Sequence, residues 1–451
     1  MSLSIIPIGG YSKIEGNSVA IKVDNEVVIL DMGLSMENYV QYQDQETEKN
    51  DGQQRRFFYD ELLKVDAVPD YYSIKKELKN VKAVIPSHAH LDHVGAVPFG
   101  MKFFKNIPVI ATPYTIAFIK EDLKNHRFDK TFANRGIDLI EVEINTTYKV
   151  TDKITVEFIH VTHSVPDSAV LAIHTPYGIV VYAVDYKFDD QPQIGQKPNY
   201  KRLKELGKKG VKCLILESLY ADYDIETPSE QDVKDKLYDV LKNLNAGGKT
   251  IFASTFSSHI VRIKTLIDAG TNLGRKVCLL GGSLDLHATI SKKLSKLNLS
   301  KDIKIIKGRD VGRFLREVDK NRGDYFLICT GHQGEPKAVL SKIADDYYGF
   351  TPQENDVVIF SSSVIPTETN EKSFKVLEKK LEQLNLQIIK DIHASGHAGL
   401  KDHKKMLEIT MPQYIIPAHA GHDKAKYLKE LSQKIGIGKT LLVSNYKKIT
   451  L

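Results

Sequence analysis

Cysteine, long apolar runs and net charge are all scarce in this sequence. The 451 residues contain only three cysteines, none of them paired at metal-ligand spacing: Cys213, Cys278 and Cys329. Each lies within a short apolar stretch, so we expect buried, inert thiols. This excludes a disulfide framework and a thiolate metal site, and it indicates a reducing compartment, the cytoplasm.

Membrane association is not indicated. No stretch approaches the roughly 20 apolar residues that cross a bilayer, and the first residues lack the basic and apolar regions of a signal peptide. We therefore expect a soluble protein with no membrane partner. The net charge of +6 comes from 63 basic and 57 acidic residues, which is too small an excess to indicate nucleic-acid binding by itself. The densest basic run, residues 201–212, is interpreted as a solvated helix face.

The length of the chain and its 42% hydrophobic content predict two domains with sizeable cores. Strands and turns dominate the first third, whereas strands and helices alternate from about residue 214, which indicates a mainly parallel sheet wrapped by helices. Ligand-type histidines resume late in the chain. We therefore predict one discontinuous domain, residues 1–213 and 372–451, and one inserted domain, residues 214–371.

Two local features also give predictions. Residues 36–54 are polar and rich in Gln, Glu and Asp, which indicates a surface insertion. Thr227 precedes Pro228, and Glu230 follows three residues after the threonine. This spacing predicts a helix that begins with Thr227 as its N-cap and Glu230 completing a capping box.

Four metal-ligand side chains follow a predicted buried strand within six positions: His88, His90, Asp92 and His93. An extended segment places His88 and His90 on the same side of the chain. A turn or helix start after them can direct the next two side chains toward a neighbouring point. Imidazole and carboxylate groups suit zinc, with manganese as the harder alternative. The segment therefore predicts a two-metal site, and a chance surface cluster is the alternative.

Three further residues follow predicted strands. An aspartate at the end of a buried strand, such as Asp185, can bridge two cations and so relieve the cost of its own burial. His163 is a second candidate ligand, although a turn or capping role is the usual alternative for either residue. Asp31 is interpreted as a carboxylate that orients the ligands.

The pattern His-x-His-x-Asp-His, with a later histidine and aspartate, resembles the metallo-β-lactamase fold. Further segments along nearly the whole chain resemble its β-CASP branch and, within that branch, the ribonuclease J family in its short archaeal form. These segments are residues 163–168, 175–178, 183–187, 330–336 (Thr-Gly-His-Gln-Gly-Glu-Pro), 393–397 (His-Ala-Ser-Gly-His) and 417–419. The resemblance implies an α/β protein, an αββα sandwich with an inserted β-CASP α/β domain.

The resemblance also implies roles for individual residues. Glu217 matches the acidic first motif of the β-CASP domain, and His397 and His419 match its histidine motifs. Two zinc ions per chain, or manganese in their place, would be held by seven residues: His88, His90, Asp92, His93, His163, Asp185 and His419. Asp185 would bridge the ions. Asp92, Asp185 and His397 would be catalytic, with a purely structural histidine as the alternative for His397.

Candidate substrate contacts lie in three segments that combine hydroxyl groups, small residues and exposed amides. Such segments form anion pockets, although helix capping is the alternative for the two that follow strands of the inserted domain. The candidates are His393, Ala394, Ser395, Gly396, His397, Ser361, Ser362, Ser363, Thr255, Ser257, His259 and Arg262.

The leading functional hypothesis is a 5′-to-3′ exoribonuclease that prefers 5′-monophosphorylated RNA and acts in RNA processing and decay. By resemblance it would be a homodimer, and single-stranded DNA is a second candidate partner. A β-CASP endoribonuclease or a DNA exonuclease is the alternative. A non-catalytic RNA-binding scaffold is a weaker one, because all seven predicted ligand positions are filled.

Overall fold

Apolar runs in both halves of the chain form strands that are buried on both faces, as expected for sheets covered on both sides. The computed structural model describes residues 2–49, 57–104, 106–124, 137–365 and 367–451. Its strands are β1 (Leu3–Gly9), β2 (Ser18–Val23), β3 (Glu26–Leu30), β4 (Val81–Ile85), β5 (Val109–Ala111), β6 (Leu139–Glu141), β7 (Thr146–Lys149), β8 (Thr155–His160), β9 (Ala169–Thr175), β10 (Gly178–Ala183), β11 (Val211–Glu217), β12 (Ile251–Ser254), β13 (Lys276–Leu280), β14 (Lys304–Ile306), β15 (Tyr325–Cys329), β16 (Val357–Phe360), β17 (Gln387–Ile389), β18 (Tyr414–Ala418), β19 (Lys439–Thr440) and β20 (Ile449–Thr450).

The helices lie between these strands. The α-helices of the described residues are Met36–Lys49, Tyr59–Lys64, Leu91–Val94, Val97–Gly100, Pro113–Leu123, Tyr200–Lys209, Glu230–Lys242, Ile260–Asn272, Gly282–Lys293, Asp310–Val318, Val339–Ala344, Glu368–Gln383, Leu400–Thr410 and His422–Ile435. Short 3-10 turns occupy Met101–Phe103 and Arg322–Asp324. Within these described segments, no helix combines the length and the apolar character that crossing a membrane requires.

Two seven-stranded sheets pack face to face. The first has the order β20-β1-β2-β3-β4-β5-β6, and the second has the order β19-β18-β11-β10-β9-β8-β7. Their facing side chains share one core, in which Ile5 and Val19 of the first sheet join Phe158 and Leu171 of the second. Helices cover both outer faces, with Phe118 on one side and Leu407 on the other. This is the predicted αββα sandwich.

The third sheet is parallel and has the order β14-β13-β15-β12-β16-β17. Helices pack on both of its faces, Ile260–Asn272 on one and Glu368–Gln383 on the other. Helix–strand alternation in the sequence predicts this arrangement, because parallel neighbours need crossover connections. The α/β fold class, including the inserted α/β domain, is therefore confirmed.

The strand pairing bears on the domain boundaries. Strand β11 crosses the predicted boundary at residue 213 and pairs with β10 and β18 of the second sheet. Strand β17 lies beyond the predicted boundary at residue 371 but pairs with β16 of the third sheet. We therefore propose that the inserted domain runs from residue 218 to residue 391.

The predicted helix start near residue 227 is wrong by two residues. The helix begins at Glu230 and is capped by Ser229, whose hydroxyl accepts a hydrogen bond from the amide of Asp232. The hydroxyl of Thr227 donates instead to the carbonyl of His397 at 2.9 Å, a long-range contact that local spacing does not encode. The polar segment 36–54 includes the helix Met36–Lys49, and residues 50–54 lie outside the described residues.

A buried charge cluster on the second sheet gives a test of stability. Glu157 on β8 is 5% exposed and accepts hydrogen bonds from His174 at 2.8 Å and from Arg202 at 3.0 Å. Burial raises the pKa of Glu157, but the hydrogen bonds from His174 and Arg202 outweigh burial and lower it to about 2. The ionised Glu157 carboxylate therefore stabilises the folded state at pH values above 4.5, its usual pKa. This stabilisation is lost as the pH falls toward 2.

We expect Glu157→Gln to lower the free energy of unfolding by roughly 2 kcal/mol at pH 7, with the difference from the parent protein shrinking as the pH falls below 4. Urea denaturation across this pH range measures both effects. Glu205→Gln is the matched control, because Glu205 binds the same arginine but is 42% exposed and should change stability little. An equal loss for Glu157→Gln at pH 7 and at pH 3 would contradict the assignment.

Candidate metal centre and active site

The predicted ligands meet where strands of both large sheets end. His88 and His90 follow β4, and the short helix Leu91–Val94 begins immediately after His90 and carries the next two candidates, as the sequence predicts. The others follow β8, β10 and β18. Carboxyl ends of neighbouring strands gather side chains from distant parts of the chain at one edge. Asp185 and His419 there adopt left-handed backbone conformations, with φ of 53° and 57°, a strain that occurs preferentially at functional sites.

One group of ligand atoms surrounds a single carboxylate oxygen. The Oδ2 atom of Asp185 lies 3.3 Å from Nε2 of His88, 3.4 Å from Nε2 of His163 and 3.8 Å from Nδ1 of His90. The ligand nitrogens of His163 and His90 are 3.1 Å apart. These four residues form one potential metal-binding group.

A second group surrounds the other oxygen of the same carboxylate. The Oδ1 atom of Asp185 lies 3.2 Å from Nε2 of His93 and 3.3 Å from Nε2 of His419. Asp92 completes the group, with Oδ2 at 3.3 Å from the His93 nitrogen. Asp185 therefore faces both groups through different oxygens, which is the arrangement that a bridging ligand requires.

These residues suit zinc on three observations. Tetrahedral ligands at the usual zinc distances lie roughly 3.3 Å apart, close to most of the separations measured. In the described part of the chain, Oδ1 of Asp185 and Nε2 of His88 are buried without a hydrogen-bond partner, and such atoms are costly unless a ligand satisfies them. Burial lowers the pKa of His93, yet Asp185, Asp92 and Asp31 raise it well above its usual value. The carboxylates thus require compensating positive charge.

Asp31 supports the centre from behind. It is fully buried, and its Oδ2 accepts hydrogen bonds from Nδ1 of His93 at 2.7 Å and from the hydroxyl of Tyr182 at 2.8 Å. The amide of Ser87 donates to its Oδ1 at 2.6 Å. The contact with His93 fixes the ring so that Nε2 points toward Asp185. The sequence interpretation of Asp31 as an orienting carboxylate agrees with this geometry.

Asn17 is a further residue at the centre, and it lies outside the segments whose sequence patterns indicate ligands. Its side-chain amide donates to Nδ1 of His419 at 2.7 Å and lies 3.4 Å from Oδ2 of Asp92. Its backbone amide also donates to the carbonyl of Asp92 at 2.9 Å. Asn17 therefore orients two candidate ligands that are 327 positions apart, and no local pattern around it gives a signal for that role.

His397 borders the centre and is held by Glu217. The Nδ1 atom of His397 donates to Oε2 of Glu217 at 2.8 Å, and the amides of Tyr186 and Ala398 donate to the other oxygen at 3.1 and 3.2 Å. Burial lowers the pKa of His397, but Asp185 and Glu217 outweigh it and raise the pKa to about 9. The fixed Nδ1 leaves the opposite ring nitrogen as the donor available to a substrate.

The candidate substrate contacts divide by exposure. Thr255, Ser361 and His259 are buried. The Thr255 hydroxyl donates to the carbonyl of Ser361 at 3.1 Å, and His259 caps the helix Ile260–Asn272. The contact of His259 favours the capping alternative, and the hydroxyl of Thr255 is engaged by the residue that follows the neighbouring strand β16. Ser362 and Ala394 are also largely buried. The other candidates in these three segments are partly or fully exposed: Ser257, Ser363, His393, Ser395, Gly396 and His397.

Arg262 is fully buried and tied to the interior. It forms two hydrogen bonds of 3.1 Å with Glu230, and its Nη1 donates to the carbonyl of Ile392 at 3.0 Å. Glu230 also accepts from Lys187 at 3.1 Å, two residues after Asp185. These contacts favour a role in which Arg262 positions the backbone before residues 393–397, in place of the direct substrate contact that the sequence predicts.

Comparisons with known proteins identify the class and then the family. Residues 13–190 match the metallo-beta-lactamase superfamily, residues 248–379 match the ribonuclease J beta-CASP domain, and residues 382–442 match the Zn-dependent metallo-hydrolase RNA specificity domain. The chain is thus a zinc-dependent metallo-hydrolase of the metallo-β-lactamase superfamily with a β-CASP insertion. It belongs to the ribonuclease J family, so the predicted family and enzyme class are confirmed.

Individual members of the family are similar in sequence to this chain along nearly its whole length. Ribonuclease J of Pyrococcus abyssi is 37% identical over 98% of this chain and 95% of its own length. Ribonuclease J of Methanocaldococcus jannaschii is 35% identical over 97% and 95%. Ribonuclease J 1 of Streptococcus pyogenes is 31% identical over 97% of this chain but 72% of its own. A crystal structure of an Enterococcus faecalis protein of unknown function shares the fold, with a TM-score of 0.66, 16% identity and full coverage of both chains.

Asp31 gives a test of how the metal centre is held. We expect Asp31→Asn to lower zinc affinity by about 10- to 100-fold, because the ring of His93 loses its charged partner, and competition with a chromogenic chelator measures the change. Asparagine tolerates the left-handed backbone of Asp31, whose φ is 58°. Asp24→Asn is the matched control, since Asp24 has a φ of 55° in the same sheet but binds Lys153 and Tyr177. Unchanged zinc affinity in Asp31→Asn would refute the assigned role.

Proposed function

We propose that the chain is a 5′-to-3′ exoribonuclease that prefers 5′-monophosphorylated RNA and hydrolyses phosphodiester bonds at a two-zinc centre, with manganese as the alternative metal. The observation that carries the proposal is the contact between a candidate ligand and the substrate segment. Nδ1 of His163 donates to the carbonyl of Gly396 at 2.7 Å. A β-carbon at position 396 would lie 2.9 Å from the His163 ring, so glycine lets residues 393–397 lie directly against the centre.

The residues around this contact supply the rest of the chemistry. Bound zinc ions would act as Lewis acids and offset charge on the phosphodiester. The hydroxyl of Ser395 accepts from the amide of His397 at 3.0 Å, so its own proton remains free to donate to a phosphate oxygen. Glu217 holds His397 through Nδ1, and the opposite nitrogen can donate a hydrogen bond or a proton to the scissile phosphate.

A terminal phosphate pocket would explain the proposed direction. The hydroxyl of Ser361 donates to the carbonyl of Ile392 at 2.9 Å, which ties residues 361–363 to the start of the substrate segment. The hydroxyl of Ser362 is buried without a partner among the described residues. Gln333 fixes the same loop by donating to the carbonyl of Ser363 at 2.9 Å. Among these groups the Ser362 hydroxyl is the donor left for a ligand, and a terminal pocket that includes it would favour a monophosphate, because a triphosphate is too large and a hydroxyl leaves the donor unpaired.

RNA is the substrate class that the matched specificity domain and the printed names of the relatives support. We propose a homodimer that acts in RNA processing and decay, by analogy with the family. We also propose a cytoplasmic location, which the free, buried thiols of Cys213, Cys278 and Cys329 support. Endonucleolytic cleavage and hydrolysis of single-stranded DNA are the alternatives that end-labelled substrates distinguish.

The two-metal proposal predicts the metal content. Reconstituted protein should contain close to two zinc ions per chain by elemental analysis. Asp185→Ala should lose most of the bound metal and reduce cleavage by at least about 1000-fold, because both groups of ligands depend on its two oxygens. Asp346→Ala is the matched control and should keep both metal and activity, because Asp346 has the same left-handed backbone, with a φ of 54°, but its carboxylate accepts from Thr351 in the inserted domain. Full activity in Asp185→Ala would exclude a bridging role.

The proposed direction predicts products and preferences. RNA with a 5′-monophosphate should be degraded to mononucleotides from that end, faster than RNA with a 5′-triphosphate or a 5′-hydroxyl. Ser395→Ala and His397→Ala should each slow cleavage by about 10- to 1000-fold while keeping the metal content. His422→Ala, at an exposed histidine, should match the parent protein. Shortening from the 3′ end, or equal rates for the three 5′ groups, would overturn the proposed direction.

A further inference from the structure

An exposed tyrosine lies beside the active site on the loop that follows β11. Tyr223 is 51% exposed, and Ile225 next to it is 47% exposed. The ammonium group of Lys424 lies 5.8 Å from the centre of the Tyr223 ring. An aromatic face and an apolar side chain beside a cation are what proteins use to bind single-stranded nucleic acid.

Ring contacts connect this tyrosine with the catalytic region. The ring centres of His397 and Tyr220 are 6.1 Å apart, and those of Tyr220 and Tyr223 are 5.5 Å apart. On the other side of His397, the ring of His419 stacks at 5.3 Å. Successive ring contacts therefore connect His419 and His397 of the candidate metal centre with the exposed ring of Tyr223.

The loop that carries the exposed ring is fixed in place. The carbonyl of Tyr223 accepts from the amide of Leu400 at 2.9 Å, and that of Ile225 accepts from Lys401 at 3.2 Å. Tyr223 also donates its own amide to the carbonyl of Tyr220 at 3.1 Å. These are backbone contacts, so the position of the ring does not depend on its hydroxyl. A preorganised aromatic face binds with less loss of conformational entropy.

The cation beside the ring is also held. Lys424 forms a salt bridge with Asp222, the residue that precedes Tyr223. None of these contacts uses the hydroxyl of Tyr223. The contact with Lys424 uses one face of its ring. Lys424 is neutralised by this salt bridge, so a nucleobase is the part of the strand that the exposed ring selects, because every base has an aromatic face.

We propose that Tyr223 is a stacking platform for a nucleobase of the RNA strand adjacent to the scissile phosphate, with Tyr220 in edge contact with its ring and Lys424 over one ring face. The proposal rests on the ribonuclease assignment but not on the direction of cleavage. A strand bound at His397 must leave the centre past neighbouring surface, and Tyr223 is the exposed ring that contacts connect to His397. A protein partner or a second copy of the chain on this surface is the competing outcome of the test.

The absence of tryptophan from the sequence makes a direct measurement possible. Tyr223→Trp introduces a single tryptophan at the proposed platform, which can be excited apart from the tyrosines, and stacking of an adenine base should quench its emission. The zinc-loaded variant is titrated with a short phosphorothioate oligoadenylate carrying a 5′-monophosphate, which slows cleavage during the measurement. We expect saturable quenching with the same midpoint as RNA binding measured by filter retention.

Tyr347→Trp is the matched control. Tyr347 is 70% exposed, contacts Tyr348 at 5.2 Å and has Lys342 at 5.1 Å from its ring. It thus reproduces the two tyrosines and the lysine, but among the described residues no ring contact links it to His397. Its emission should not change on addition of RNA. Equal quenching at both positions, or none at position 223, would overturn the proposal. An emission change at position 223 that follows protein concentration without RNA would overturn it in favour of self-association.

An abasic series then separates stacking from structural effects. Tyr223→Ala should raise the Kd for RNA by about 5- to 100-fold, whereas Tyr223→Phe should bind like the parent protein. Replacing one base of the RNA by an abasic residue should weaken binding to the parent protein at one position along the strand, and should cost nothing further in Tyr223→Ala. Equal abasic penalties in both proteins would exclude stacking. Reversed cleavage polarity would refute the proposed direction and leave this result unaffected.

Discussion

The buried carboxylate of Asp185 is the constraint on which the active site depends. It lies between two groups of histidines, is 2% exposed, and turns one oxygen toward each group. A carboxylate in this position is costly unless cations compensate it. Its backbone is also held in the left-handed region. Both costs are tolerated because one residue at the end of β10 can then serve two ligand groups from opposite sides.

A second layer of buried charges connects that carboxylate with the substrate segment. Lys187 lies two residues after Asp185 and binds Glu230, and Glu230 binds Arg262, which donates to the carbonyl of Ile392. These residues come from the large sandwich, from the inserted domain and from the segment that leads back to the sandwich. A buried pair is rigid because breaking it leaves an uncompensated charge. The substrate segment is thereby held at a fixed distance from the metal centre.

The sequence predicted those parts of the structure that local patterns encode. Strands appear as apolar runs, and His88, His90 and His93 lie within one short segment, so both could be recognised without a fold. The roles of Asn17 and Thr227 could not, because each depends on a partner that is distant in the sequence and adjacent only after folding. The burial of Arg262 was missed for the same reason, since a basic residue near a strand end resembles a phosphate ligand until its neighbours are known.

The position of the insertion brings residues from both of its ends to the candidate site. Strands β11 and β18 are parallel neighbours in the second sheet, and the inserted domain lies between them in the sequence. Glu217 ends β11, where the chain leaves the sandwich, and His397 lies on the returning segment, where the two side chains meet at 2.8 Å. The exit and re-entry points of the insertion are therefore joined by a hydrogen bond within the active site. A displacement of the inserted domain would act first on His397, whose Nδ1 lies 3.9 Å from Oδ1 of Asp185 in the candidate metal centre.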